Sequence, residues 1–163
     1  MYDYRSYWQE RVYDNQLIED SQQRLYGKYQ VPGKVLEIGC GVGRLSALFK
    51  DYIGIDLNTS AVEKARENYP DATFRVADIV TDELEQAENL ITCAVLQHIP
   101  DDLIASVAQK IQAVNIMLFE SVLDGYRAPW CFSHDYERLF GKAFYKETIP
   151  HTSAVFMVFR RGE

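Results

Sequence analysis

Short apolar segments alternate with amphipathic ones along most of this chain, and this alternation limits its fold more than any other feature. Five short runs, most of them apolar, have the length and composition of strands: residues 35–38, 52–55, 73–76, 90–95 and 115–119. Apolar residues at helical spacing stand between them, with Pro70 ending one helix and Pro100 opening another. This order predicts a parallel sheet with helices on both faces.

The last thirty residues have a different pattern. Ser133 is placed to cap a short helix that runs to about Phe140, and residues 143–149 and 154–160 have the composition of strands. Because only four residues connect these two strands, we expect them to pair as an antiparallel hairpin. The prediction is an α/β fold with a doubly wound, mostly parallel seven-stranded sheet and a C-terminal antiparallel hairpin.

Three local signals predict where further helices begin. Apolar residues at positions 45, 48 and 49 predict a helix directly after a glycine-rich turn. Ser60 and Glu63 form a capping-box pattern at the start of the next helix. Thr81 is placed to cap a short acidic helix that extends to Ala87.

Length, composition and charge narrow the class of protein. The 163 residues are 47% hydrophobic, which predicts one domain over 1–163, with a helical lid segment at 1–30 and a core at 31–163. No apolar run is long enough to span a membrane, so we expect a soluble, cytoplasmic protein. The net charge of −7 disfavours nucleic acid as a partner. The three cysteines lie far apart without a CxxC pair, which predicts reduced thiols and no metal site.

A glycine-rich turn follows the first predicted strand. Gly39, Gly41 and Gly43 form a GxGxG pattern, in which missing Cβ atoms and a helix N-terminus let a ligand approach the backbone. The dinucleotide fingerprint is GxGxxG with a small last residue, whereas this chain has Arg44 there. The spacing therefore disfavours a nicotinamide-dependent oxidoreductase.

Two aspartates follow the next two strands. Asp56 ends the second strand, where its carboxylate could accept both ribose hydroxyls of an adenosyl group. Asp78 follows the third strand and could accept the adenine amino group, while Ile79 packs on the ring. Since ligands of open α/β sheets bind at the carboxyl ends of the strands, these features predict one nucleoside site.

Residues 35–43, 54–56, 76–78 and 96–99 together resemble the class I S-adenosylmethionine-dependent methyltransferases. The resemblance covers about residues 31–119 and implies a Rossmann-like fold, S-adenosylmethionine as the cofactor, and Glu37 as support for the glycine turn. Arg11 or Arg44 is expected to pair with the methionine carboxylate. The residues expected to bind the cofactor are Arg11, Glu37, Gly39, Cys40, Gly41, Gly43, Arg44, Asp56, Leu57, Asp78, Ile79 and Ala94.

Methyl transfer to a hydroxyl or a protonated amine needs a base, and histidine has a suitable pKa. His98 follows the fourth strand and His134 precedes the last helix, so both are candidate catalytic bases. The alternative for each is a structural role, bonded to nearby backbone or at a helix start. His151 is expected to be a solvated residue of the hairpin turn, at the opposite or lateral edge of the sheet.

Aromatic residues crowd the N-terminus at helical spacing. They indicate either an amphipathic helix that packs on the sheet or a lid that folds over the cofactor. The residues expected to bind the acceptor are Tyr7, Trp8, His98, Tyr126, Trp130 and Tyr136.

The first hypothesis is a methyltransferase acting on oxygen or nitrogen of a small-molecule acceptor. Because so short a chain leaves little protein for an acceptor pocket, a homodimer partner or a macromolecular acceptor could complete the site. The second hypothesis is a cofactor-binding, catalytically degenerate methyltransferase fold that acts as a scaffold or activator subunit.

Overall fold

One mixed sheet of seven strands organises the protein. The computed structural model describes residues 3–12, 17–121 and 130–162. The strands are β1 (Val35–Ile38), β2 (Tyr52–Asp56), β3 (Thr73–Val76), β4 (Asn89–Cys93), β5 (Asn115–Ser121), β6 (Tyr145–Thr148) and β7 (Ala154–Arg160). Their order across the sheet is β3-β2-β1-β4-β5-β7-β6. The first five strands are parallel, β7 is antiparallel to both β5 and β6, and the predicted fold class is confirmed.

Five α-helices accompany the sheet in the part of the chain that is described. They are α1 (Tyr4–Gln9), α2 (Asp20–Tyr29), α3 (Thr59–Asn68), α4 (Ile104–Lys110) and α5 (Tyr136–Phe140). One apolar cluster joins α2 and α3 to one face of the sheet, and a second joins α4 and α5 to the other face. Leu25 and Tyr26 of α2 are fully buried. Helix α2 is therefore part of the core rather than of a lid. None of these helices is long and apolar enough to span a membrane.

The predicted helix from Thr81 to Ala87 is wrong, because this stretch contains no helix. Lys110 Nζ donates hydrogen bonds to the carbonyl oxygens of Ile79, Val80 and Asp82, at 3.1, 2.6 and 2.9 Å. Of these three carbonyls, only that of Asp82 lies within the predicted helix and would otherwise accept a helical N–H group. A long-range contact with α4 thus overrides the local capping signal.

Other predicted helix starts lie a few residues from the observed ones. Asn58 caps α3 by accepting from Ala61 N, so the Ser60 capping box is wrong. Asp135, and not Ser133, caps α5 by accepting from Arg138 N. Helix α4 begins at Ile104 after a turn. The helix expected after the glycine turn is a 3-10 helix of five residues, Arg44–Leu48. It is too short to supply the helix dipole that the sequence suggested.

The hairpin turn between β6 and β7 lies at the carboxyl end of β5. Ser121 pairs with Ala154 in the sheet, and its hydroxyl is 3.0 Å from that of Ser153. His151 is exposed in this turn, as expected, and the turn joins the two outermost strands at the lateral edge of the sheet. It lies at the same end of the strands as the glycine turn and not at the opposite one. Because β7 pairs antiparallel with β5, it begins at the carboxyl end of β5.

Candidate active site

A cavity of about 360 Å³ lies at the carboxyl ends of the parallel strands, between the segments that follow β1 and β4. The winding of the sheet reverses between these two strands, and such switch points are where open α/β sheets bind ligands. All the cofactor residues expected from the sequence line this cavity except Gly43. A Cβ at Gly43 would lie 2.7 Å from the Phe74 ring, so this glycine permits packing behind the site.

The glycine turn is held by β2. Gly39 N and Cys40 N both donate to the Ile55 carbonyl, and Gly41 N donates to Asp56 Oδ2 at 2.8 Å. These three N–H groups already have acceptors within the protein. The turn therefore contributes open space for a ligand and not hydrogen bonds from these groups. A Cβ at Gly41 would have no protein atom within 4 Å.

Asp56 lies at the end of β2 and hydrogen-bonds both the glycine turn and the residue that caps α3. Its Oδ1 accepts from Asn58 N at 2.9 Å, while Oδ2 accepts from Gly41 N. Burial raises the pKa of Asp56, and these backbone donors oppose the rise. A carboxylate has about four acceptor positions, so Asp56 can still accept hydrogen bonds from a ligand diol.

Glu37 is buried in β1 and lines the deep end of the cavity. It accepts a hydrogen bond from the Tyr52 hydroxyl. Burial raises the pKa of Glu37 to about 7, opposed by the Tyr52 hydrogen bond and by the charge of Arg44. The side chain therefore contacts β2 behind the glycine turn.

Asp78 is covered by α1, a contact that the sequence did not reveal. Tyr4 Oη donates to both of its carboxylate oxygens, at 3.1 and 3.0 Å, and Arg5 Nε donates to Oδ2 at 2.7 Å. Burial would raise the pKa of Asp78, but Arg5, the Val80 N–H and Tyr4 outweigh it, and the pKa is lowered. An adenine amino group at Asp78 must therefore share the carboxylate with Tyr4 or displace it.

Helix α1 also contacts the rim of the cavity beyond Asp78. Asn58 Nδ2 donates to the Trp8 and Arg11 carbonyls, both at 3.0 Å. The Trp8 ring lies 4.3 Å from the His98 ring, measured between centroids. Tyr4 and Trp8 of this helix line the cavity, as does Arg11 just after it, so the N-terminal segment lies over the opening.

Arg44 borders the cavity near the end of β4. Its guanidinium donates to Gln22 Oε1, to the Leu17 carbonyl at 3.2 Å and to Cys93 Sγ at 3.3 Å. Gln22, on α2, is itself buried. These contacts hold the Arg44 cation at the rim of the cavity opposite Asp78.

His98 lines the cavity, and its neighbours define its tautomer. Gln97 Oε1 accepts from Ser121 N at 2.7 Å, which turns the Gln97 amide nitrogen toward His98 Nε2 at 3.2 Å. That ring nitrogen is therefore the acceptor, and Nδ1 donates to the Trp130 carbonyl at 2.6 Å. Burial lowers the pKa of His98, so the ring is neutral at neutral pH.

His134 and three of the expected acceptor residues, Tyr7, Trp130 and Tyr136, do not line the cavity. His134 is buried, and its Nε2 lies 3.1 and 3.0 Å from the Leu96 and Ile99 carbonyls. This geometry favours the structural alternative for His134. Tyr136 is buried in the core, and Trp130 stacks on Tyr7 with 5.2 Å between ring centroids. Tyr126 lies outside the described residues.

Comparison with known proteins agrees with this architecture. A family profile described as a methyltransferase domain matches residues 35–115. The structure of the PH0226 protein from Pyrococcus horikoshii superposes with a TM-score of 0.70 at 18% identity, covering 85% of this chain and 86% of that one. Magnesium protoporphyrin IX methyltransferase from Synechocystis, solved with bound S-adenosylmethionine, gives 0.64 at 18% identity, covering 86% and 75%.

This chain is a methyltransferase-domain protein. Two curated relatives match it over shorter stretches. A protein of Invertebrate iridescent virus 6 described as a methyltransferase, 235L, is 36% identical over 63 residues, which is 35% of this chain and 24% of that protein. Trans-aconitate 2-methyltransferase of Methylobacterium radiotolerans is 35% identical over 79 residues, 44% of this chain and 30% of that enzyme. These matches span less than a third of either relative.

Several residues at the site were not singled out from the methyltransferase pattern. Val95 lines the cavity near His98, and the Arg5 guanidinium reaches Asp78. Glu120 was also missed, although a charged residue at the end of an otherwise apolar strand was a visible signal. Within the described residues, no cluster of three or more His, Cys, Asp or Glu could hold a metal ion.

Proposed function

We propose that this chain binds S-adenosylmethionine in the cavity and transfers its methyl group to oxygen or nitrogen of a small acceptor. The observation that carries the proposal is the convergence of the glycine turn, Asp56 and Asp78 on a single cavity of about 360 Å³. That volume lies in the range of roughly 300–1,000 Å³ that is usual for small-molecule sites. The relative named as a trans-aconitate methyltransferase supports a small acceptor.

The residues of the cavity fit an adenosyl sulfonium. Asp56 is placed to accept from the ribose hydroxyls, and Ile79 to pack beside the adenine. Arg44 is the cation placed to pair with the methionine carboxylate at the rim opposite Asp78. When bound, the cofactor supplies an electrophilic methyl group on a positively charged sulfur.

The protein's own contribution is alignment, exclusion of water and removal of a proton. Helix α1 covers the opening, and the Trp8 and His98 rings, which contact each other, together line one side of the space in which an acceptor would lie. His98 is neutral and carries its lone pair on Nε2, so it can take a proton there once the Gln97 hydrogen bond is released. We assign the role of base to His98 rather than to His134.

Turnover tests the proposal directly. The purified chain is incubated with S-adenosylmethionine and a panel of small carboxylates, phenols, alcohols and amines, and S-adenosylhomocysteine formation is measured. We expect acceptor-dependent product with at least one class. Cofactor binding without turnover on any acceptor would contradict methyl transfer and favour the scaffold or activator alternative.

Asp56→Ala is expected to weaken S-adenosylhomocysteine binding by about 1–3 kcal/mol, because hydrogen bonds to a charged acceptor are lost. Calorimetric titration of both proteins measures the difference. Asp51→Ala is the matched control, since this exposed carboxylate lies just before the amino end of the same strand. Equal affinities in the Asp56 variant and the wild type would refute the ribose role.

His98→Ala is expected to lower kcat about 100-fold or more while leaving cofactor affinity nearly unchanged, since it removes only the base. His151→Ala, at an exposed turn position, should have wild-type kcat. His134→Ala should instead lower the free energy of unfolding by about 1–3 kcal/mol, because the Leu96 and Ile99 carbonyls lose their buried partner. A His98 variant with wild-type kcat would exclude this base.

A further inference from the structure

Glu120 carries a fully buried carboxylate near the carboxyl end of β5. Its Oε1 accepts hydrogen bonds from Thr92 Oγ1 at 2.6 Å and from Val95 N and Leu96 N at 3.1 Å each. Its Oε2 accepts one from Gln97 N at 3.3 Å. One carboxylate thus holds the end of β4 and the segment that follows it.

That segment, the post-β4 loop of residues 94–99, forms the wall of the cavity on the His98 side. Ala94, Val95, His98 and Ile99 all line the cavity. Ala94 has a φ of 57°, a left-handed conformation that is costly for a residue with a Cβ and needs external contacts to persist. One such contact is the backbone hydrogen bond that Ala94 N donates to the Phe119 carbonyl, at 2.8 Å.

Gln97 extends the same connection to His98. Its side-chain oxygen accepts from Ser121 N, the residue after Glu120, and its amide nitrogen contacts His98 Nε2. Its carbonyl accepts from Phe132 N at 2.7 Å. The end of β5 therefore sets both the path of the loop and the orientation of the ring that faces the cavity.

A carboxylate is a costly residue to bury at this position. The preceding β5 residues, 116–119, are all apolar and buried, so an apolar side chain would suit the strand. Burial raises the pKa of Glu120, and the hydrogen bonds from Thr92 and the loop amides oppose the rise. The four hydrogen-bond donors, all outside β5, account for a polar side chain that the strand itself does not need.

We propose that Glu120 is a positioning residue for the cofactor site: it holds the post-β4 loop in the conformation that forms the cavity wall beside His98. Cofactor affinity would then depend on a side chain that does not itself line the cavity. The part of the inference that concerns affinity rests on the proposed function, whereas the part that concerns the loop does not.

Glu120→Gln tests the inference with two measurements on the intact chain. Amide hydrogen exchange, followed by NMR without ligand, should become about tenfold faster or more at Val95, Leu96 and Gln97 than in the wild type, with β1 amides unchanged. Calorimetry with S-adenosylhomocysteine should show about tenfold weaker binding, since an amide cannot accept from all four donors.

Asn89→Ala is the control for general destabilisation. Asn89 is buried at the opposite end of the sheet, where it hydrogen-bonds Val31 and Asn115. Its loss should accelerate amide hydrogen exchange throughout the sheet, while the affinity for S-adenosylhomocysteine should stay within about twofold of the wild-type value. The inference would be overturned if amide exchange in Glu120→Gln rose equally across the whole sheet. It would also be overturned if amide exchange in the post-β4 loop, or the affinity for S-adenosylhomocysteine, stayed at the wild-type value.

A second pair of variants keeps the test informative if Glu120→Gln does not fold. Thr92→Val removes one donor to Glu120, whereas Thr92→Ser keeps the hydroxyl. We expect faster loop exchange in the valine variant only, and equal exchange in both variants would overturn the inference. A wild type that does not bind S-adenosylhomocysteine contradicts the proposed function, while the exchange rates still report on Glu120.

Discussion

Replacing Gly39 with alanine is expected to lower the free energy of unfolding by about 2–5 kcal/mol. Gly39 has a φ of 71°, which costs an L-residue roughly 1–2 kcal/mol. An added Cβ would also lie 2.3 Å from Val95 Cγ2 and 3.0 Å from Cγ1. Because both branches of this side chain are close, rotation cannot relieve the clash, and overpacking adds about 1–3 kcal/mol.

Urea denaturation of Gly39→Ala and Gly41→Ala measures this effect against a matched control. Gly41 has a φ of 52°, but a Cβ there would meet no protein atom within 4 Å. The control should therefore lose only about 1–2 kcal/mol, the cost of the left-handed backbone. Equal losses in the two variants would show that close packing of the post-β4 loop on Gly39 is absent.

Replacing Glu37 with glutamine is expected to remove a pH dependence of stability worth about 3 kcal/mol. Burial raises the pKa of Glu37 from 4.5 to about 7, so the folded state favours the protonated form. This stability is fully present below about pH 4.5 and is lost as the pH rises through about 7. At roughly 1.36 kcal/mol per pKa unit, the shift corresponds to about 3 kcal/mol.

The measurement is the free energy of unfolding of both proteins from pH 4.5 to 8. The wild type should lose stability relative to Glu37→Gln across this interval, and the difference should level off above about pH 8. Comparing two proteins cancels the titration of Asp56, Asp78 and the other acids. A difference that stays constant with pH would contradict the raised pKa and place Glu37 in a more polar environment.

Much of the fold follows from local sequence patterns. Four of the five parallel strands are mostly apolar and buried, as expected of strands that helices cover on both faces, whereas the edge strand β3 buries only Phe74. The hairpin followed from the four-residue connection between its strands. The cavity position followed from the rule that the carboxyl ends of parallel strands share one edge, which brings Gly39, Asp56 and Asp78 together.

The features that could not be predicted depend on contacts between residues far apart in sequence. Thr81 looks like a helix cap, but Lys110 of α4 donates to the Asp82 carbonyl, which the first turn of that helix would need. Spacing predicted that the N-terminal aromatics form a helix, yet only the fold shows that Tyr4 reaches Asp78. His98 and His134 are equivalent as residue types, and only their neighbours place one at the cavity and the other among backbone carbonyls.

The most direct test of the central claim is an NMR titration of the ¹⁵N-labelled chain with S-adenosylhomocysteine. Saturable shifts are predicted at the amides of Gly39, Gly41, Leu57 and Ile79, which line the cavity. Amides of residues 68–73, at the opposite end of the sheet, should not move. Absence of shifts, or shifts confined to residues away from the cavity, would contradict its assignment as the cofactor site.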